Sequence, residues 1–420
     1  MPQDVIQEII NHLHNDPDTL KSCAVVSHSF LPTSRKHLFF SIHLDHPRKP
    51  QRFYEVLSAQ PDIANFVREL YAIGVGSDEE VWLEGEVFLP RILRLVNRLG
   101  LLSLDARPFR AVVAWYHFSI DLQSAVTEIL LSPFLVEMRF ISVNPMSISI
   151  IARSSHLRRL ALLYSDVYGE SDLVSNMQAS HVQTSPLTSL EALELGSFQN
   201  DVSAEMFLVT RRLRLLSILT CGKVTLSVAR DVIRSAASSI HSIVWRYSSE
   251  CMFVFALMIS ILMFQLIAIA ATIQLGMIRN LRFLLFSISM ARGSENRHFR
   301  TDIHSIIWHL EDPTVTANLQ ELTIAINTRR YWYYEEVVES LATYQGWEML
   351  DSVLLGRGPV LRKVHIAVEL NDVDYPDIHD ELQTTMELRL PRLAERGILV
   401  AECRRVEELE AIAWSRSRLE

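Results

Sequence analysis

Glycine is scarce, with 13 residues in 420, which counts against an enzyme built on several glycine-rich phosphate loops. Cysteine is scarcer still. Cys23, Cys221, Cys251 and Cys403 lie far apart with no CxxC or CxH pairing, so they give neither a disulfide framework nor a zinc site and suit a reducing compartment. Positive charge is not gathered anywhere. Basic residues occur at most in pairs, as at Arg35-Lys36 and Arg329-Arg330, and the formal net charge is −9, which argues against a nucleic-acid groove. No GxSxG elbow, Walker-type loop, GxGxxG or HExxH is present. The stretch Met1-Pro2-Gln3-Asp4 lacks the basic and apolar regions of a signal peptide, so a cytoplasmic or nuclear protein is expected. What is abundant is apolar surface. Apolar residues make up 49% of the chain against 21% charged, enough for a packed core and too much for extensive disorder.

Candidate ligands are isolated. His12 and His14 are two apart and do not share a helix face; His304 and His309 are five apart with no third ligand nearby in sequence. Asp372 and Asp374 have the spacing of the first two EF-hand ligands, but Pro376, Asp377 and Gln383 stand where a third ligand, a glycine and a closing glutamate are needed. No catalytic residue, metal or cofactor is expected.

Self-similarity carries the fold. The pattern Leu-x-x-Leu-x-Leu, with other large apolar residues as substitutes, recurs nine times. Its copies are Leu99/Leu102/Leu104, Leu135/Met138/Phe140, Leu157/Leu160/Leu162, Leu190/Leu193/Leu195, Leu213/Leu216/Ile218, Ile240/Ile243/Trp245, Leu281/Leu284/Phe286, Leu319/Leu322/Ile324 and Leu361/Val364/Ile366. Some matches are expected by chance in a Leu-rich chain, and an ordinary α/β domain with amphipathic strands is the alternative. As leucine-rich repeats, each copy ends in a short strand with one buried face, and the residues between strands form helix or loop behind a parallel sheet. Stacking then buries a core that no single repeat could bury. The expected fold class is α/β: a short amino-terminal three-helix unit followed by an irregular leucine-rich-repeat solenoid with parallel strands.

The amino terminus reads as three short helices. Val5, Ile6, Ile9, Ile10 and Leu13 make one broad apolar helical face after Pro2. Asp16-Pro17-Asp18 restarts a second helix with Leu20, Cys23, Ala24 and Val26 on its buried side, and a third runs from about Phe30 to Phe39. The run "HLHNDPDTLKSCAVVSHSFLPTSRKHLF", with the Pro2–Ile10 string before it, resembles an F-box. More narrowly, it is similar to the F-box-like proteins found in large numbers in mushroom-forming fungi. Met1 stands where that family usually has Leu, and Phe30 where it usually has Trp; both keep apolar bulk. The resemblance implies docking onto a Skp-type adaptor of a cullin–RING ubiquitin ligase through Pro2, Val5, Ile6, Ile9, Ile10, Leu13, Leu20, Val25, Val26 and Phe30, while the repeats hold an unknown target protein. The alternative is that these residues are the core of a helical cap on a repeat scaffold with no ligase link.

This organisation gives an F-box-like domain at 1–45, a mainly helical connector with a first repeat at 46–130, a repeat array at 131–400 and a carboxy-terminal helix or tail at 401–420. A first strand is expected after Phe66, Val67 and Leu70, and a helix start around Trp82. Two further features stand out. Cys251 to Ile278 holds no charged residue over 28 positions, and three accounts stay open for it: a segment foreign to the fold, a long buried helix, or a membrane span. The span is disfavoured because similar repeats flank the stretch and a single crossing would separate them. Arg329, Arg330, Tyr331, Trp332 and Tyr333 have the composition of an interface hot spot and are candidate partner-binding residues, unless they pack between a strand and a helix.

Overall fold

The computed structural model describes residues 3–74, 82–106, 113, 115–143, 146–147, 151, 154–163, 167–168, 189–196, 212–220, 223–247, 275–290, 296–328, 334–356, 360–369 and 378–404. The charge-free stretch 251–278 lies outside them up to residue 274, as does the aromatic candidate site 329–333. Among the described residues no helix is long and apolar enough to cross a membrane. The chain divides into two units, Met1–Leu190 and Glu191–Glu420.

The first unit opens with α1 (Gln3–His12), α2 (Pro17–Val26) and α3 (Leu31–Leu38). Its sheet is parallel, in the order β1 (Ser41–Leu44), β2 (Glu69–Ile73), β3 (Leu101–Asp105), β4 (Glu137–Ile141) and β6 (Arg159–Leu163). A separate two-residue pair joins β5 (Met146–Ser147) to β7 (Val167–Tyr168). Helices α4 (Lys49–Ala59), α5 (Phe88–Leu95) and α6 (Ile120–Leu130) fill the crossovers, as parallel pairing requires. Leu89, Ile92 and Leu93 of α5 and Leu122, Val126 and Ile129 of α6 are buried at helical spacing, which gives each helix one apolar side. The helix expected around Trp82 begins instead at Phe88, because the Glu86 carboxylate accepts the Phe88 N–H (2.6 Å) and sets the start there, while the Trp82 indole donates to the Ile73 carbonyl.

The second unit continues the same rule. Its parallel strands run β8 (Ala192–Gly196), β9 (Leu215–Thr220), β10 (Ser242–Tyr247), β11 (Phe283–Met290), β12 (Glu321–Thr328), β13 (Lys363–Glu369) and β14 (Leu399–Arg404). Crossover helices are α7 (Lys223–Ala236), α8 (Asn296–Glu311), α9 (Pro313–Thr316), α10 (Tyr334–Thr343), α11 (Gly346–Gly356), α12 (Ile378–Arg389) and α13 (Pro391–Glu395). The last strand extends past residue 400 to Arg404.

All nine Leu-x-x-Leu-x-Leu copies are strands, so none is a chance match. Register explains why. The fourth and sixth positions of each copy stand opposite those of the next, as in Leu102↔Met138 and Leu104↔Phe140, or Ile243↔Leu284 and Trp245↔Phe286. These side chains are all buried, as are the first positions except the half-buried Leu361. The backbone repeats with the sequence. In rung after rung the carbonyl of the second position accepts the N–H groups of the second and third positions of the following rung. Gly100 O takes Val136 and Glu137, Val136 O takes Arg158 and Arg159, Arg282 O takes Gln320 and Glu321, and Gln320 O takes Arg362 and Lys363, all at 2.8–3.2 Å. One acceptor thus satisfies two donors at these strand entries. Asn280 and Asn318, each just before a first position, add side-chain bonds to the previous rung, at Ser238 O (2.8 Å) and Arg279 O (2.7 Å).

The end of the second unit is held by a long-range cap. Leu390 supplies no side-chain acceptor at the start of α13; the buried Asp351 of α11 accepts the N–H groups of Arg392 (3.2 Å) and Leu393 (3.1 Å) instead. Gly397, at φ +66°, closes α13 and turns the chain into β14. Asp351→Ala is expected to cost about 2 kcal/mol, since it removes a charged acceptor from two donors, of which that of Leu393 is buried. Asp351→Asn, which keeps one oxygen, should cost about half that, and urea unfolding of the three proteins measures both.

Candidate partner-binding surfaces

The amino-terminal helices make their own small core. Ile6, Ile10 and Leu20 are buried against one another, with Leu13, Cys23, Phe30 and Leu38 packed on them. Asp16 caps α2 by accepting the Thr19 N–H (3.0 Å) and hydroxyl (2.6 Å), and these bonds hold its carboxyl below the ordinary value. Asn11 Oδ1 lies 2.9 Å from His37 Nε2, and the Gln3 amide donates to Ser29 O (3.1 Å), which ties α1 to the segment around α3. Burial, ahead of the charges of Lys36 and His14, depresses the His37 pKa.

The residues singled out for adaptor docking therefore divide. Ile6, Ile10 and Leu20 are interior, and Leu13 and Phe30 are partly covered. Val5 and Ile9, one turn apart on α1, are 42% and 47% exposed; Val25 and Val26, at the end of α2, are 86% and 73% exposed. Pro2 and Met1 lie outside the described residues. Among the described residues, those of this small core all fall within the first 38 positions.

The second surface was not singled out from sequence. In a repeat strand the fourth and sixth side chains go to the core, so the third and fifth stand on the opposite face of the sheet. In the first unit those positions carry a polar ladder. His43 of β1 stacks on Tyr71 of β2, with ring centroids 4.5 Å apart and planes 7° from parallel. The Tyr71 hydroxyl donates to Glu69 Oε2 (3.3 Å), and burial, followed by the Glu69 charge, pushes its pKa up to about 12. Across the small Ser103 of β3, Glu137 of β4 receives two guanidiniums. Arg139 Nε donates to Oε1 (2.7 Å) and Arg159 Nε of β6 lies 3.1 Å from Oε2. Glu137 is almost wholly buried beneath them, while both arginines remain partly open to solvent.

The corresponding face of the second unit differs along its length. Ala192, Leu215, Val244 and Leu285 form an apolar cluster on β8 to β11, flanked by Glu194, which accepts from Ser217 Oγ (3.3 Å) and lies 3.5 Å from Arg246 Nη1. Near the other end, His365 Nε2 of β13 is 2.7 Å from Glu402 Oε1 of β14, and Glu402 also pairs with Arg404. Burial brings the His365 pKa down to about 4 despite that carboxylate. This pair has no thiolate beside it. Cys403 points to the opposite, buried face, and burial and then Glu402 push its thiol up to about 12. Arg329, Arg330, Tyr331, Trp332 and Tyr333 lie outside the described residues, as do Asp372, Asp374, Pro376 and Asp377. Among the described residues no group of three or more metal-ligating side chains is found.

No model of a protein family matches the chain, and no curated protein matches it. Among solved structures an internalin (inlF) from Listeria monocytogenes is similar. It is 12% identical, the match covers 82% of this chain and 78% of that one, and the TM-score is 0.33. The repeat fold of this chain rests on its own strands and register.

Proposed function

We propose that this chain is a non-catalytic scaffold that holds a protein partner, and that the polar ladder of the first unit's sheet is where it does so. The carrying observation is the row His43, Glu69, Tyr71, Glu137, Arg139 and Arg159, which stands on the sheet face opposite the core. Such a row supports protein recognition because its members are already oriented by one another. Little side-chain entropy is then lost when a partner is bound. Tyr and Arg are also the side chains that most often anchor interfaces. The free thiols of Cys23 and Cys403 support the reading of a reducing compartment, cytoplasmic or nuclear. Affinity capture with the full chain and with a His43→Ala/Tyr71→Ala variant tests this. A partner kept by the wild type and lost by the folded variant is expected; an identical set from both would contradict it.

A second reading is favoured by the outward apolar residues of the amino-terminal helices. Val5, Ile9, Val25 and Val26 would dock a Skp-type adaptor, and the scaffold would then present its partner for ubiquitin transfer by a cullin–RING ligase. Calorimetric titration with such an adaptor distinguishes this from a simple helical cap. Ile9→Asp should weaken binding at least about tenfold with an unchanged circular dichroism spectrum, because Ile9 is half exposed. Ile10→Asp, at a fully buried position, should instead unfold the three helices. No binding by a well-folded wild type would remove the adaptor and leave the scaffold.

A further inference from the structure

On the helical layer of the first unit, α5 carries two arginines with different surroundings. Arg94 turns toward α6, where Asp121 (3.8 Å) and Glu128 (3.5 Å) receive it. Arg91 turns toward α4 and meets aromatic rings instead. Its guanidinium carbon stands 5.7 Å from the ring centroids of both Tyr54 of α4 and Phe88 of α5, and those centroids are 5.6 Å apart with the planes at 44°. No carboxylate pairs with Arg91 among the described residues. Glu55, the acidic residue next to Tyr54 on α4, takes a hydrogen bond from the Gln51 amide (3.0 Å).

The residues one turn before and one turn after Arg91 are apolar and open. Val87, which precedes the first residue of α5, is 57% exposed, and Leu95, at its end, is 42% exposed. Residues four apart share a side of a helix, so Val87, Arg91 and Leu95 form one outward row of apolar, cationic and apolar groups, roughly 6 Å from one to the next. The other side of α5 faces the core through Leu89, Ile92 and Leu93. Contact with two rings fixes the guanidinium before anything binds and leaves its planar fork for an acceptor. A carboxylate is the acceptor whose shape matches that fork.

We propose that the row Val87, Arg91 and Leu95, with Tyr54 and Phe88 supporting the arginine, is a second docking surface, and that its occupant is an acidic amphipathic helix of a protein partner. Charge complementarity argues for that occupant. Arg91 has its aromatic support and lacks a carboxylate, whereas Arg94, three residues on, has two. A helix presenting Leu, Glu and Leu at i, i+4 and i+8 repeats the spacing of the row. It sets its carboxylate opposite the guanidinium, with an apolar contact on either side. The surface belongs to the helical layer, so it is independent of the polar ladder on the sheet.

Fluorescence anisotropy with the full chain tests this. The probe is an alanine-based helical peptide of about fifteen residues with Leu, Glu and Leu at that spacing, beside a matched peptide with Gln for Glu. The wild type is expected to bind the Glu peptide with a dissociation constant below about 1 mM, and the Gln peptide at least about tenfold more weakly. Arg91→Gln, at an exposed position, should weaken the Glu peptide at least about tenfold with an unchanged circular dichroism spectrum. Leu95→Ser should weaken both peptides, and Arg94→Gln, off this row, should leave both affinities within about twofold. The comparison of the two peptides on the wild type depends on no variant. No binding of the Glu peptide by the folded wild type would overturn the proposal. So would equal affinities for the two peptides, or equal affinities of the wild type and Arg91→Gln for the Glu peptide.

Discussion

Glu137→Ala is expected to destabilise the protein by about 3–5 kcal/mol, the largest effect of any single surface-facing change in the first unit. The carboxylate is almost fully buried and receives Arg139 and Arg159 on separate oxygens, so its removal leaves two partly desolvated guanidiniums without the charge they share. The rest of the ladder should loosen with it. Tyr71 sits close enough to sense both Glu137 and Arg139, so the phenol and its stack with His43 would lose a fixed neighbour. Glu137→Gln keeps the shape and both acceptor directions but one oxygen becomes a donor, so an intermediate loss is expected. Urea unfolding monitored by tryptophan fluorescence measures all three proteins. A loss below about 1 kcal/mol for Glu137→Ala would mean that the arginines are held by other partners and that the ladder is not preorganised by this carboxylate.

Acid should destabilise the second unit through one buried imidazole. His309 of α8 lies against Trp245 and Phe286, the sixth-position residues of β10 and β11, with ring centroids 5.9 Å and 6.4 Å away. Burial pushes its pKa down to about 4, against the opposing pull of Asp312. In the unfolded chain the same group titrates near the ordinary value of about 6.5. Between these two values the unfolded state binds the extra proton and the folded state does not, so stability falls as pH falls. The contribution is fully present above about pH 6.5 and lost progressively toward about pH 4, by roughly 3 kcal/mol in total. His365 acts in the same direction, so the isolating comparison is with His309→Phe, which fills the site without titrating. The variant should lose about 3 kcal/mol less than the wild type between pH 7 and pH 4. Parallel pH profiles would show that His309 is protonated in the folded state.

The nine repeat cores were legible because a strand with one buried face writes its register directly as Leu-x-x-Leu-x-Leu, and stacking makes the register repeat. Three further rungs escaped in whole or part. Ile42 and Leu44 of β1, Leu70 and Ala72 of β2, and Leu399 and Ala401 of β14 hold the fourth and sixth positions, but alanine twice replaces the large sixth residue. Before Leu399 the first position is Arg396, which no apolar pattern marks. The first and last of these rungs are terminal in the order of described strands, and terminal repeats deviate because one side has no described rung to match; β2 stands next to the first. The apolar face of α1 was legible as a face, but its division into a buried half at Ile6 and Ile10 and an open half at Val5 and Ile9 was not. Which half turns inward depends on where α2 and α3 pack. The polar ladder was invisible for a different reason. His43, Tyr71 and Arg139 are about thirty or more residues apart and unpatterned by themselves, and they become neighbours only after register aligns fifth position with fifth position. Reading the third and fifth positions down the nine aligned copies would have found Glu137, Arg139 and Arg159, but not His43 and Tyr71, which belong to rungs the pattern did not mark. Long-range bonds such as Asp351 to α13 and Gln383 to β14 have no sequence signal of this kind.

Whether the ladder face holds a protein partner can be read from site-specific photo-cross-linking in extracts of the source cells. A photoreactive side chain is placed at Ser41, on the ladder face of β1 two residues before His43, and for comparison at Arg230 on α7. A discrete partner adduct is expected from position 41 that the Tyr71→Ala variant loses. Adducts from position 230 alone, with none from position 41, would contradict partner binding on the ladder face.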